Sequence, residues 1–282
     1  MAARNLKGVL NLILTLLVGY AALLLLLRLG ENRIIFLPTM IARTSGDWQP
    51  PGLPVEDVWL RTSDGVQLHA WWIPAPGAEF TFIAFHGNAG NITHRADVFR
   101  FLHRLPGNVL AVEYRGYGRS EGSPDEAGIY RDAQAAFDFA VKERGVAPRS
   151  IIAFGQSLGT TAAAELAATR EIGGVVLEAP FPSAGAVARR VYPFLPGLGR
   201  VVKSKFETAA KLEGKSVPVL VVHCANDPVL AYSLGAQVYE RAQGPKVLFR
   251  VEGYCHEEAS LIAPEEYRAK LAEFFTLVKS AR

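Results

Sequence analysis

The sequence predicts an α/β protein: a mostly parallel sheet with helices on both faces, preceded by one membrane-spanning helix. Three features carry that expectation. From residue 80 onward, apolar runs of strand length alternate with stretches of helical spacing, the pattern of parallel strands joined by crossover helices. Gly8 to Leu27 contains no charged residue, which is long enough to cross a bilayer as a helix. The apolar run Ile151–Phe154 enters Gly155-Gln156-Ser157-Leu158-Gly159, and small residues from Ala162 to Ala168 follow. That is a strand-to-helix turn sharp enough to hold the Ser157 side chain clear of the strand's end.

The chain divides accordingly. Residues 1–29 are read as a membrane anchor and 30–54 as a linker stiffened by Pro38, Pro50, Pro51 and Pro54. Residues 55–282 form the globular domain. Its 50% hydrophobic and 20% charged composition, in a chain of 282 residues, suits one large core. A cleaved signal peptide is the alternative for the N-terminus. The apolar run is longer than a signal core, and Arg28-Leu29-Gly30-Glu31 offers no small-x-small cleavage site.

Within the domain, Val55–Arg61 and Val66–Ile73 flank Ser63-Asp64-Gly65 as a hairpin. Phe80–Phe85 reads as a fully buried strand, ending in His86-Gly87-Asn88-Ala89-Gly90. A helix is expected around Val98–Leu105 and a strand over Asn108–Val112. Pro124-Asp125-Glu126 opens a helix to about Lys142, with acids at its positive end. Beyond the Ser157 turn come strands Ile172–Leu177, Val217–Val222 and Lys246–Val251, and helices over Ala231–Ala242 and from Pro264. Between Ser183 and Ser216 the periodicity weakens. Residues 183–216, with the apolar Tyr192–Leu198, are read as a small cap.

Charge narrows the partners. Residues 1–49 hold five basic and two acidic side chains, and the rest of the chain is balanced at 25 of each. A neutral domain without a basic patch argues against nucleic acid. The basic residues beside the apolar stretch suit a membrane surface. They flank it on both sides, so charge does not set the orientation. The signal-anchor habit puts the domain on the extracytoplasmic side.

A serine hydroxyl needs a base to take its proton and an acid to orient that base. With Ser157 on a central strand, acid and then His are expected later in the chain, at strand ends. His256 follows the last strand in Gly253-Tyr254-Cys255-His256. Asp227, in Cys224-Ala225-Asn226-Asp227-Pro228, follows the strand before it. Glu178 is the reserve acid, and His223 is read as support for the acid's loop. Backbone N–H groups of Leu158 and Asn88 are the candidate oxyanion donors. No phosphate-loop or dinucleotide fingerprint is present.

In these motifs and their order, residues 55–280 resemble the α/β-hydrolase superfamily. Tyr114-Arg115-Gly116-Tyr117-Gly118, with Ser120, Gly122 and Pro124, is similar to its ABHD-type, membrane-associated branch and to serine-aminopeptidase-like proteins. The resemblance implies an eight-stranded sheet, a triad of Ser157, Asp227 and His256, and neither metal nor organic cofactor. Two positions depart from the family: Cys224 stands where Gly is common, and Glu257-Glu258 replace an Asn or Asp after the histidine. Cys224 and Cys255 fall on two adjacent catalytic loops. They are read as two buried free thiols, or as a pair if the domain faces an oxidising compartment.

The function expected is a membrane-anchored serine hydrolase acting on a small acyl ester or thioester, with lipid-like substrates open. A serine aminopeptidase or amidase, or a non-catalytic scaffold, are the alternatives. Oligomeric state is not legible.

Overall fold

In the computed structural model, residues 2–281 are described. An eight-stranded sheet runs in the order β1-β2-β4-β3-β5-β6-β7-β8. Its strands are β1 (Glu56–Arg61), β2 (Gln67–Ile73), β3 (Phe80–Phe85), β4 (Gly107–Val112), β5 (Ile151–Gln156), β6 (Gly174–Glu178), β7 (Val219–Cys224) and β8 (Lys246–Val251). β2 pairs antiparallel with β1 and β4, and every other pairing is parallel. Parallel strands buried on both faces read as near-continuous apolar runs; β3, β5, β6 and β7 are buried at every position.

The helices are α1 (Ala2–Ile35), α2 (Ala96–His103), α3 (Glu126–Lys142), α4 (Gly159–Thr169), α5 (Ala184–Val191), α6 (Leu198–Val201), α7 (Thr208–Leu212), α8 (Tyr232–Arg241), α9 (Ala259–Ile262) and α10 (Pro264–Ser280). One sheet face packs on the apolar sides of α3, α4 and α8. The other packs on α2 and α10, where Phe80 stacks on Phe275 at 4.6 Å. α3 begins at Asp125, whose carboxylate accepts the Gly128 N–H at 2.6 Å, as an N-cap should. Arg115 explains part of its motif. It bonds Asp132 of α3 and Asp64 of the β1–β2 turn, each at 2.8 Å, and so fastens the hairpin to the helix layer.

Three expectations change. The sequence places the start of the linker at residue 30, but α1 continues through Gly30 to Ile35. No proline interrupts it before Pro38, and the Glu31 carboxylate is anchored by the N–H groups of Lys203 and Ser204. The balanced charge of the domain hides a local excess. Between Ala184 and Phe206 the cap carries Arg189, Arg190, Arg200, Lys203 and Lys205 and no acid, a basic run whose backbone is bonded by Glu31 and Glu126. Finally, Cys224 and Cys255 are not free thiols but form a disulfide, with Cα atoms 5.6 Å apart, inside the range such a bond requires. It ties the end of β7 to the loop after β8.

The expected outcome is that native, unreduced protein takes up no alkylating reagent and gains two adducts per chain only after reduction, as read by intact mass. Two adducts without reductant would contradict the pairing.

Candidate active site

The serine turn is built by steric exclusion. Ser157 adopts φ 48°, a conformation costly for a side-chain-bearing residue. Its N–H is held by the Glu178 carbonyl at 2.8 Å. A Cβ on Gly155 would stand 2.4 Å from the Gly159 carbonyl oxygen, and one on Gly159 would stand 2.1 Å from that of Phe85. Both contacts are closer than any real Cβ makes, so glycine is required where strand and helix cross. The result leaves Ser157 8% exposed at the head of α4.

The imidazole of His256 reaches it from the loop after β8. Nε2 lies 3.0 Å from Ser157 Oγ, and Nδ1 lies 2.7 Å from Asp227 Oδ2. A carboxylate only accepts, so Nδ1 carries the proton and Nε2 is free to accept from the serine. Asp227 is itself fully engaged. Oδ1 accepts the N–H groups of Val229 and Leu230 at 2.7 and 2.8 Å. Oδ2 also faces His223 Nε2 at 3.3 Å, and that nitrogen donates to the Leu230 carbonyl at 2.9 Å. His223 therefore braces the acid's loop.

Burial raises the Asp227 carboxyl, but hydrogen bonds from His223 and His256 outweigh it and hold the group well below the usual carboxylate range. Burial likewise opposes the charged form of His256. The bond to Asp227, and the charges of Asp227, Glu257 and Glu258, outweigh it and raise the imidazole above its ordinary value.

Asn88 and Leu158 line the same cavity as Ser157. Among the described residues neither backbone N–H is paired with a protein acceptor. The Asn88 loop is fixed from behind. Its carbonyl accepts from Leu37 N–H at 3.1 Å and Tyr117 Oη at 2.9 Å, and its side-chain amide donates to the Ile35 carbonyl at 3.0 Å. The cavity holds about 450 Å³, the size of a small-molecule site. Its walls are mostly apolar side chains of the cap and of α1, with Val229 and Leu230 beside Asp227.

Sequence reasoning missed the supports of the histidine loop. Glu178 does not contact the His256 ring. Its two oxygens accept from Gln156 Nε2 and from the Ala259 N–H, each at 3.0 Å. Gln156 Nε2 also donates to the Glu257 carbonyl at 3.0 Å. The departures after the histidine find a use as well. Glu258 accepts the His256 N–H at 2.8 Å, and Glu257 pairs with Arg95 at 2.8 Å. A charged residue ending a wholly apolar strand, as Glu178 does, was the available signal.

Burial pushes the Glu178 carboxyl up to about 8. The unfolded chain ionises near the ordinary value of 4.5 and so sheds its proton first, and Glu178 therefore makes stability fall as pH rises from that value towards 8. Thermal melts between pH 5 and pH 8 should show a smaller loss of Tm in Glu178→Gln than in the unaltered protein. An equal loss in both would contradict this.

Comparison with known proteins places the chain. The family model described as serine aminopeptidase, S33, matches residues 78–208. The chain is 31% identical over 238 residues to human alpha/beta hydrolase domain-containing protein 17B, covering 81% of this chain and 78% of that one. The Xenopus tropicalis protein of the same name is 30% identical over 270 residues, covering 87% and 90%. An uncharacterized protein of Mycobacterium tuberculosis is 32% identical over 235 residues, covering 82% of each chain. Among solved structures, an esterase from Pyrococcus furiosus superposes with a TM-score of 0.68 at 22% identity, over 83% of this chain and 97% of that one. These relationships, with the eight-stranded sheet, make the chain a member of the ABHD-type α/β-hydrolases.

Proposed function

We propose that this hydrolase is a membrane-anchored serine enzyme that cleaves an acyl ester or thioester through an acyl-enzyme on Ser157. The observation that carries the reading is the single hydrogen-bonded line from Asp227 through His256 to Ser157. Ser157 Oγ attacks the substrate carbonyl while His256 Nε2 takes its proton. The carbonyl oxygen, now an anion, is received by the N–H groups of Leu158 and Asn88. The tetrahedral adduct collapses, and His256 returns the proton to the departing alcohol or thiol. A water then attacks the acyl-serine, giving its proton to His256. As that adduct collapses, His256 returns the proton to Ser157 Oγ and the carboxylic acid leaves.

The matched family model is described by an aminopeptidase activity, which is the second reading. An aminopeptidase needs a carboxylate for the substrate's amine. The acid lining the cavity among the described residues is Glu31, and both its oxygens are taken by backbone N–H groups of the cap. Ester or thioester cleavage is therefore preferred.

The anchor is α1, which is long and apolar enough to cross a membrane. The Cys224–Cys255 disulfide favours an oxidising, extracytoplasmic setting for the domain. The reading keeps three parts: α1 as anchor, residues 183–216 as cap, and the remainder from residue 55 as the catalytic unit.

Ser157→Ala should abolish hydrolysis of p-nitrophenyl esters, and Asp227→Asn should lower kcat by roughly 10⁴ through the wrong imidazole tautomer. Near-normal turnover in Asp227→Asn would contradict Asp227 as the orienting acid. Because His256 must be neutral to accept a proton and its pKa is raised above 6.5, kcat/KM should climb with pH through an inflection above that value. An inflection below it would contradict the assigned base.

A further inference from the structure

The cavity beside Ser157 is not closed by the globular domain alone. Leu27, Glu31, Ile34 and Ile35 of α1 form one side of it, across from Val187 and Leu195 of the cap. The contact is a helix face rather than a chance touch. Glu31 is buried and Tyr20, Leu24, Leu27 and Ile35 are half-buried, whereas Leu25, Leu26, Leu29 and Arg33 are exposed. That spacing of three and four residues is one stripe of a helix. Polar contacts lock it in register. Tyr20 Oη donates to the Pro196 carbonyl at 2.6 Å, Arg28 donates to the Val201 carbonyl, and Glu31 accepts from the N–H of Ser204 at 2.6 Å. The helix then ends on the oxyanion loop itself, where the Ile35 carbonyl accepts from Asn88.

The depth of this seam follows from the sequence. The uncharged run Gly8–Leu27 matches the roughly 20 residues a hydrocarbon core requires. Leu27 therefore stands at the edge of the core. Tyr20, seven residues earlier, lies about 10 Å inside it at 1.5 Å per residue. The Pro196 carbonyl bonded to Tyr20 shares that depth. The cap tip is made for such a place: Phe194 is 72% exposed, and Arg189, Arg190, Arg200, Lys203 and Lys205 surround an apolar segment. Apolar tip and basic flank suit acyl chains and anionic headgroups respectively.

From these contacts we infer that the last turns of α1 are a specificity-determining wall of the acyl pocket, not merely a tether. α1 and the cap clasp the chain of a long-chain acyl ester or thioester resident in the leaflet, and its carbonyl is presented to Ser157. The inference rests on the hydrolase reading above, and its test separates the two. Full-length protein in anionic phospholipid nanodiscs is assayed on decanoyl and acetyl p-nitrophenyl esters. In Leu27→Trp the ratio of kcat/KM for decanoyl over acetyl should fall at least about tenfold, as when two methylenes no longer leave water. Ile34→Trp gives the same reading should Leu27→Trp fail to fold. Leu29→Trp, at a position 74% exposed and outside the cavity, should keep the ratio within twofold. A ratio unmoved in both wall variants, or lowered equally by Leu29→Trp, overturns the inference while leaving the hydrolase intact. Absence of turnover of both esters in the unaltered protein overturns the hydrolase reading itself.

Discussion

The hydrogen bond between the Asp227 carboxylate and the His256 imidazole is the contact on which the site depends. It fixes which ring nitrogen carries the proton, and so whether the other can accept one from Ser157. The two groups arrive on separate loops, after β7 and β8, and loops are the mobile parts of a fold. The structure compensates from several sides. Backbone N–H groups and His223 saturate Asp227. Glu178 and Gln156 hold the chain just beyond His256. The disulfide joins Cys224, three residues before Asp227, to Cys255, immediately before His256. Positioning by rigid neighbours is what a proton relay needs, since small displacements weaken it steeply.

Much of this architecture was legible in the sequence, for identifiable reasons. β3 reads directly, because a continuous apolar run of strand length between turn residues has few other uses. The turn at Ser157 was readable because its glycines are sterically obligatory. The strand ends from which Asp227 and His256 project could be placed by chain order. What stayed hidden depends on residues far apart in sequence. Gly30 looked like the end of α1, and only the cap's N–H groups around Glu31 reveal why the helix continues. Whether Cys224 and Cys255 pair is a question of loop distance, which spacing along the chain cannot answer.

The N-terminal helix links fold to function more closely than an anchor must. Its last turns wall the cavity, and its end is bonded to the loop that carries one candidate oxyanion donor. In the proposed reading, substrate, cap and membrane meet at one seam, and the globular domain supplies the chemistry from beneath. An enzyme arranged this way meets an amphiphilic substrate without first extracting it into water, where each exposed methylene would cost about 0.8 kcal/mol.

The central claim is that Ser157 is the nucleophile of a working relay. Treatment of the full-length protein with a fluorophosphonate, followed by peptide mass mapping, tests it most directly. The account predicts one adduct per chain, on the Ser157 hydroxyl, with ester turnover lost in proportion to labelling. An adduct on another residue, or turnover that persists after Ser157 is fully modified, would contradict it.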